Sequence, residues 1–343
     1  MGWFGRKRKQ EPTTNDPIAA FWQWWSSASA EIDAAATRRD TDRVVELLGT
    51  QVRALHPELV WEMGPYDQSR HQLIVSAGGD PELRPLARRW LRAAPPADEA
   101  WTFFDMRQPS PLNMVLELGD VTMTFADVRV HTARTETGLD VVVYHPVFGE
   151  VSEEQRVQLM FMALDAALGE KATELWLDRV ETSVTDPEGS APLGELPSIV
   201  DAVEAESMPN GEMGWTMLEG DSPDGPILVR CLQRLSPVQA LDFDQHVSVV
   251  VRFSDVTAEG WPGPRSMEAL ARFENDLAAA VFGKGQVVAV HTRSGVRVLE
   301  FYVDSTTDAA EVLQTAAKRW RQGKVEIEVD LDPGWEAVQA FRI

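Results

Sequence analysis

Residues 287–293 (VVAVHTR) and 296–303 (VRVLEFYV) are two apolar-rich runs on either side of Ser294-Gly295. Apolar positions recurring with period two predict strands, and a Ser-Gly pair suits the two-residue turn of a tight hairpin. That turn sets Arg293 opposite Val296 and His291 opposite Val298, with Glu300 a diagonal neighbour of His291. An earlier stretch over 128–146, VRVHTARTETGLDVVVYHP, has the same outline, with Val-His-Thr at the same place. After each hairpin comes a helical stripe. Val157, Met160, Phe161, Leu164 and Leu168 form one, and Ala309, Val312, Leu313, Ala316 and Trp320 the next, both at i, i+3, i+4, i+7, i+11 spacing. Leu83, Leu86, Ala87 and Trp90 follow the same rule after a third pair of apolar runs.

The pattern predicts helices at 17–38 and 41–55, strands near 59–64 and 71–77, a helix at 81–93 and a strand at 100–107. A hairpin (128–134, 139–145), a helix (152–168) and a strand (174–181) follow. The second half reads as a helix near 196–205, a hairpin (214–219, 226–232), a strand (246–253) and a helix (266–282). It ends with the 287–303 hairpin, a helix (308–321), a strand (324–330) and a short closing helix. Asp16-Pro17, Asp80-Pro81 and Asp332-Pro333 each put a capping acceptor before a proline suited to the first helical turn. Ser152 and Gln155 have the spacing of a capping box.

A hairpin–helix–strand unit thus occurs three times, and 246–330 reads strand, helix, strand, strand, helix, strand, the ferredoxin-like order. The expected fold class is α+β. It comprises two ferredoxin-like or related antiparallel sandwich domains with repeated ββαβ units, preceded by N-terminal helices. The stretch SVTDPEGSAPLGELP is rich in turn formers, so 183–197 is expected to link a domain over 17–182 to one over 198–343. Residues 1–16 are expected to form a flexible basic arm.

Sorting side chains by strand parity gives the C-terminal sheet one apolar face, with Val247, Val249, Val251, Val288, Val290, Leu299, Phe301 and Val303. The other face mixes His246, Arg252, His291, Glu300 and Tyr302. In the earlier hairpin His131 shares its face with Arg129, Asp140 and Tyr144. An antiparallel sheet ordinarily turns such a face to water or to a neighbouring domain. The sharper reading makes it a surface that receives a partner or small ligand. Glu274 is a second candidate, because it falls inside the apolar arc of Met267, Leu270, Phe273, Leu277 and Val281. A carboxylate there needs a partner, a rim position or a raised pKa.

Charge narrows the partners. The chain has 343 residues and a net charge of −22, although Arg6, Lys7, Arg8 and Lys9 are basic. So acidic a body argues against direct nucleic-acid binding and favours a basic protein partner. The single cysteine, Cys231, excludes a disulfide framework and a multi-cysteine metal site and points to a reducing, cytoplasmic setting. Arginine outnumbers lysine and alanine is abundant, the habit of a GC-rich bacterial genome. No secretory signal and no spanning segment is legible. Basic residues followed by FWQWW over 21–25 raise peripheral membrane association through 1–25, against the plainer reading that Phe21, Trp24 and Trp25 pack the first helix onto its domain. There is no nucleotide-binding glycine loop, nucleophile elbow or zinc-protease motif. The six histidines (56, 71, 131, 145, 246, 291) lack metal-ligand spacing. No catalytic residue, cofactor, metal or oligomeric state is assigned.

The stretches GWPGPRSMEALARFENDL, VHTRSGVRVLEFYV and VEIEVDLDPGWEAVQAF resemble the bacterial domain-of-unknown-function family 695, over roughly 236–343. The shared features fall on Gly260 to Pro262, Glu274, Thr292 to Gly295, Phe301-Tyr302 and Asp332 to Trp335, while the loop around Trp261 departs from the commoner pattern. The first half is similar to the N-terminal part of uncharacterised bacterial proteins through LIVSAGGD and AAPPADEAWTFFDMR. The resemblance implies no activity. The leading expectation is therefore a non-catalytic protein-binding or regulatory module, of inhibitor or immunity type. The alternative is a hydrolase or small-ligand enzyme using His291 or His131 with Glu300, Asp140 or Glu274.

Overall fold

The computed structural model describes residues 16–118, 121–222 and 225–342. The expected basic arm lies, apart from Asp16, outside the described residues, as does the start of the segment read as a membrane contact. The chain divides into two compact units, one ending at Asp105 and one beginning at Met106.

In the first unit, Asp16 accepts a hydrogen bond from Ile18 N (3.0 Å) and Pro17 opens helix α1 (Pro17–Thr37). Asp40 caps α2 (Thr41–Leu55) through Arg43 N. Strands β1 (Val60–Tyr66) and β2 (Ser69–Ser76) form an antiparallel hairpin. Helix α3 (Arg84–Arg92) then crosses to β3 (Trp101–Phe104), which pairs parallel to β2. The core joins Phe21, Trp25, Ile32 and Leu48 to Leu73, Trp90, Trp101 and Phe103. The FWQWW aromatics are core residues: Phe21 and Trp25 are buried, and Trp22 donates its indole N–H to Trp90 O (2.9 Å).

The second unit contains strands β4 (Val115–Leu118), β5 (Val121–Thr124), β6 (Arg129–Arg134) and β7 (Leu139–Tyr144), then helices α4 (Glu153–Leu168) and α5 (Glu170–Trp176). It continues through β8 (Leu177–Ser183), β9 (Ala191–Pro192), α6 (Leu196–Ser207), β10 (Trp215–Ser222) and β11 (Gly225–Leu232). Next come β12 (Gln245–Arg252), α7 (Pro264–Ala280), β13 (Gly285–Arg293), β14 (Val296–Val303), α8 (Ala309–Ala317) and β15 (Val325–Leu331). A 3-10 turn at Glu336–Phe341 takes the place of the closing helix. The capping box at Ser152 and Gln155 is formed in both directions.

The fold is α+β, and its sheets are largely antiparallel. From β12 onward the elements follow the expected strand–helix–strand–strand–helix–strand order. Strands β13, β14, β12 and β15 lie side by side, and β11 and then β10 extend that sheet beyond β13. Ser294 and Gly295 both have positive φ (44° and 76°), as the mirror-image hairpin turn requires. The register then follows: Arg293 faces Val296 and His291 faces Val298.

The structure departs from the pattern at three places. The three hairpin–helix–strand units do not all share one topology: the first two agree and the third differs. β8 returns parallel beside β7, and β3 parallel beside β2, whereas β15 leaves the β14 side and pairs antiparallel with β12. Residues 183–197 fall within the second unit. Leu193 is fully buried, β9 pairs with β6, and one hydrophobic core runs from Met106 to Val338. Val288 leaves the apolar face it was assigned. A bulge between Val287 and Ala289 shifts parity, so Val287 and Val290 pack against the helix-side core while Val288 and Ala289 enter the opposite one.

Candidate functional site

The sheet presents its two faces to different surroundings. Val247, Val249, Val251, Leu299, Phe301 and Val303 face α7 and α8, with Leu270, Phe273, Leu277 and Leu313 closing that core. On the opposite face, Glu300 projects between β12 and β13. One carboxylate oxygen lies 3.0 Å from His246 Nε2 and the other 3.0 Å from His291 Nε2. Register explains the contact, because Glu300 pairs with Ser248 on one side and Ala289 on the other, which leaves both histidines as its diagonal neighbours. Burial raises the Glu300 pKa, but the two imidazole hydrogen bonds outweigh it and hold the carboxyl at about 2.

Tyr302, two residues along, is completely buried and stacks on Trp335, with ring centroids 4.5 Å apart. Its hydroxyl donates to Asp332 Oδ2 (2.5 Å), and Asp332 also accepts from the Glu336 and Ala337 backbone N–H groups. Burial and the Asp332 carboxylate both push the tyrosine pKa far up. The Phe341 ring lies 5.4 Å from His291. Around Glu300 this face is therefore covered, whereas Arg252, Glu326 and Glu328 farther out on it are exposed. Residues 332–341 and the second unit's main core lie over the covered part, so His246, Glu300 and Tyr302 are sealed from solvent. The cluster orders the sheet against its cover. His291 Nδ1 is buried and has no hydrogen-bond partner among the described residues.

The other two candidates stand apart from this cluster. Arg252 is exposed at the far end of β12. Glu274 lies on α7, across the sheet from His291 and Glu300, and is paired with Arg230. The alternatives foreseen for this carboxylate reduce to an ion pair near the rim of the helix-side core. His131 is half-buried, faces Val142 across the hairpin, and has no hydrogen-bond partner at Nδ1 among the described residues. No group of three or more His, Cys, Asp or Glu side chains among the described residues is placed to hold a metal ion. No helix among them is long and apolar enough to cross a membrane.

The sequence reading missed an accessible surface. Two helices, each about 10 Å across, cover about four strands at about 4.8 Å spacing. This sheet has six, so the helix-side face of β10 and β11 extends beyond α7. On it Trp215 is 40% and Met217 55% exposed, and the Arg230 guanidinium lies 4.7 Å from the Trp215 ring centroid. Beside them a groove of about 720 Å³ is floored by Leu228 and Thr292 and walled by Trp261, Pro262 and Met267, with Glu219 and Asp221 at one side and Arg297 at another. Arg297 donates from Nε to Thr292 Oγ1 (3.0 Å). Burial lowers its pKa, partly offset by the field of Glu274, which is engaged by Arg230. One signal was legible: alternation in WTMLEGD leaves Trp215 and Met217 on a single face.

Residues 214–341 match the model of a family of unknown function, DUF695. No curated protein and no solved structure matches the chain. The match takes in the six-stranded sheet, its two helices, the sealed Glu300 cluster and the groove.

Proposed function

We propose that the chain is a non-catalytic protein-binding module that receives a basic partner on the shelf formed by β10 and β11. The observation that carries this reading is the uncovered sheet face. Contiguous exposed apolar side chains rimmed by charge mark an interaction surface, and β10 is an edge strand whose outer side takes no strand partner in the described sheet. Charge selects the partner: the chain carries −22 overall, and Glu219 and Asp221 stand beside the shelf. Regulation by occupying such a partner, in a cytoplasmic bacterial setting, extends the same reading. The strand order from β12 to β15 supports classing this part of the second unit as ferredoxin-like.

The enzyme alternative has less support. Of its pairs, Glu300 is buried beside a His291 that is only slightly exposed, Glu274 lies across the sheet from both, and His131 and Asp140 are half-buried with no hydrogen bond or ion pair between them among the described residues. Membrane association through 1–25 would have to rest on residues before Asp16, because Phe21 and Trp25 are already used in the core.

Affinity capture from native extract at low and high salt, with wild type beside Met217→Glu, tests the proposal. A stoichiometric basic protein, released by salt and lost in the variant, is the expected result. Retention of the same protein by Met217→Glu would remove the shelf from consideration.

A further inference from the structure

The register places four groove residues in one row across four strands. Glu219 pairs with Leu228, Leu228 with Thr292, and Thr292 with Arg297. All four point to the helix side. The row therefore runs from an acid through an apolar and a hydroxyl side chain to a base, over about 14 Å, or three strand spacings. Neither end is in a direct ion pair among the described residues. Glu219 and Asp221 have no ion-pair partner among the described residues, and Arg297 is paired with no carboxylate there, its only side-chain hydrogen bond being Nε to Thr292. A guanidinium with both terminal nitrogens uncommitted is a fork suited to a carboxylate. Trp261 and Met267, the latter 48% exposed, line the same groove.

We propose that this groove recognises the free C-terminus of a partner chain, with the terminal carboxylate on Arg297 and a basic side chain two or three residues upstream on Glu219 and Asp221. The inference rests on the binding-module reading, since the groove adjoins the same shelf. The dimensions agree. Two or three extended residues cover about 7 to 10 Å, and a lysine side chain reaches about 6 Å further. The intervening side chains meet Leu228, Trp261 and Met267. The carboxylate supplies a directly paired counter-charge where Arg297 now has only the field of Glu274, which Arg230 engages, in a site where burial strengthens the pairing.

The test titrates the full chain with acetyl-Ala-Lys-Leu-Val bearing a free carboxylate, by calorimetry and by the Met267 methyl resonance. Two control peptides are its C-terminal amide and the version with alanine for lysine. The free acid is expected to bind and shift the Met267 methyl. The amide should bind at least about tenfold more weakly, and the alanine version several-fold more weakly. Arg297→Gln should erase the difference between acid and amide, Glu219→Gln should erase much of the lysine preference, and Arg297→Lys should restore part of the acid preference. Equal binding of acid and amide to the wild-type protein overturns the proposal without reliance on any variant. So does no binding at millimolar peptide. If the peptide fails while Met217→Glu still abolishes partner capture, C-terminal recognition is wrong and the binding-module reading stands.

Discussion

Replacing Glu300 tests whether the sealed cluster holds the sheet to its cover. The carboxyl sits at about 2, against an ordinary value of 4.5. At about 1.4 kcal/mol per tenfold change in proton affinity, that difference corresponds to about 3 kcal/mol of stability. The sign follows from the depressed value. The folded state favours the ionised group, so the contribution is fully present above about 4.5 and is lost as pH falls from there through about 2. Glu300→Gln keeps the shape but offers one acceptor oxygen where two imidazoles now each find one. Urea unfolding followed by the His246 and His291 ring resonances should show the variant less stable by about 3 kcal/mol at pH 7. The deficit should shrink towards zero between about pH 5 and pH 2, as the wild type loses its advantage. A deficit constant across that range, or a variant as stable as wild type at pH 7, would refute the reasoning.

Other consequences follow from single contacts. Tyr302→Phe removes a buried hydroxyl hydrogen bond to Asp332 and should cost about 1–2 kcal/mol in urea unfolding. It should also raise the Asp332 pKa, seen by carboxyl NMR titration, because one of the bonds holding that carboxyl down is gone. Trp25→Ala opens a cavity where Trp25 meets Trp101 and Phe103 edge-on. It should destabilise the first unit by about 3–5 kcal/mol, read as faster amide exchange across α1 and β3. Raising salt from about 50 to 500 mM should slow association with the captured partner by about tenfold or more in stopped-flow measurements.

Much of the local structure was legible because it is encoded locally. Asp16-Pro17, Ser152 with Gln155, and Ser294-Gly295 fix two helix starts and a register through their own backbone chemistry. Strand parity alone places Glu300 diagonally beside His291, as the hydrogen bond between them shows. What escaped depends on distant partners. Nothing near β7 or β8 announces that they pair in parallel, and nothing local marks 183–197 as part of a core. The Val287 bulge is a one-residue event that reverses a face without changing composition. The burial of His246, Glu300 and Tyr302 was one of two readings the sequence left open, the face turning either to water or to a neighbour. Parity identified their shared face, but only the return of 332–341 decides that it is covered. That β10 and β11 join the same sheet, and so outreach its helices, is likewise a fact of topology.

The central claim is that a partner docks on β10 and β11 beside α7. Hydrogen–deuterium exchange of the captured complex against the free chain tests it most directly. The account predicts new protection over 215–221 and 226–232, with none added at the already sealed 298–303. Protection confined to β6, β7 and β8, with β10 exchanging as in the free chain, would contradict it.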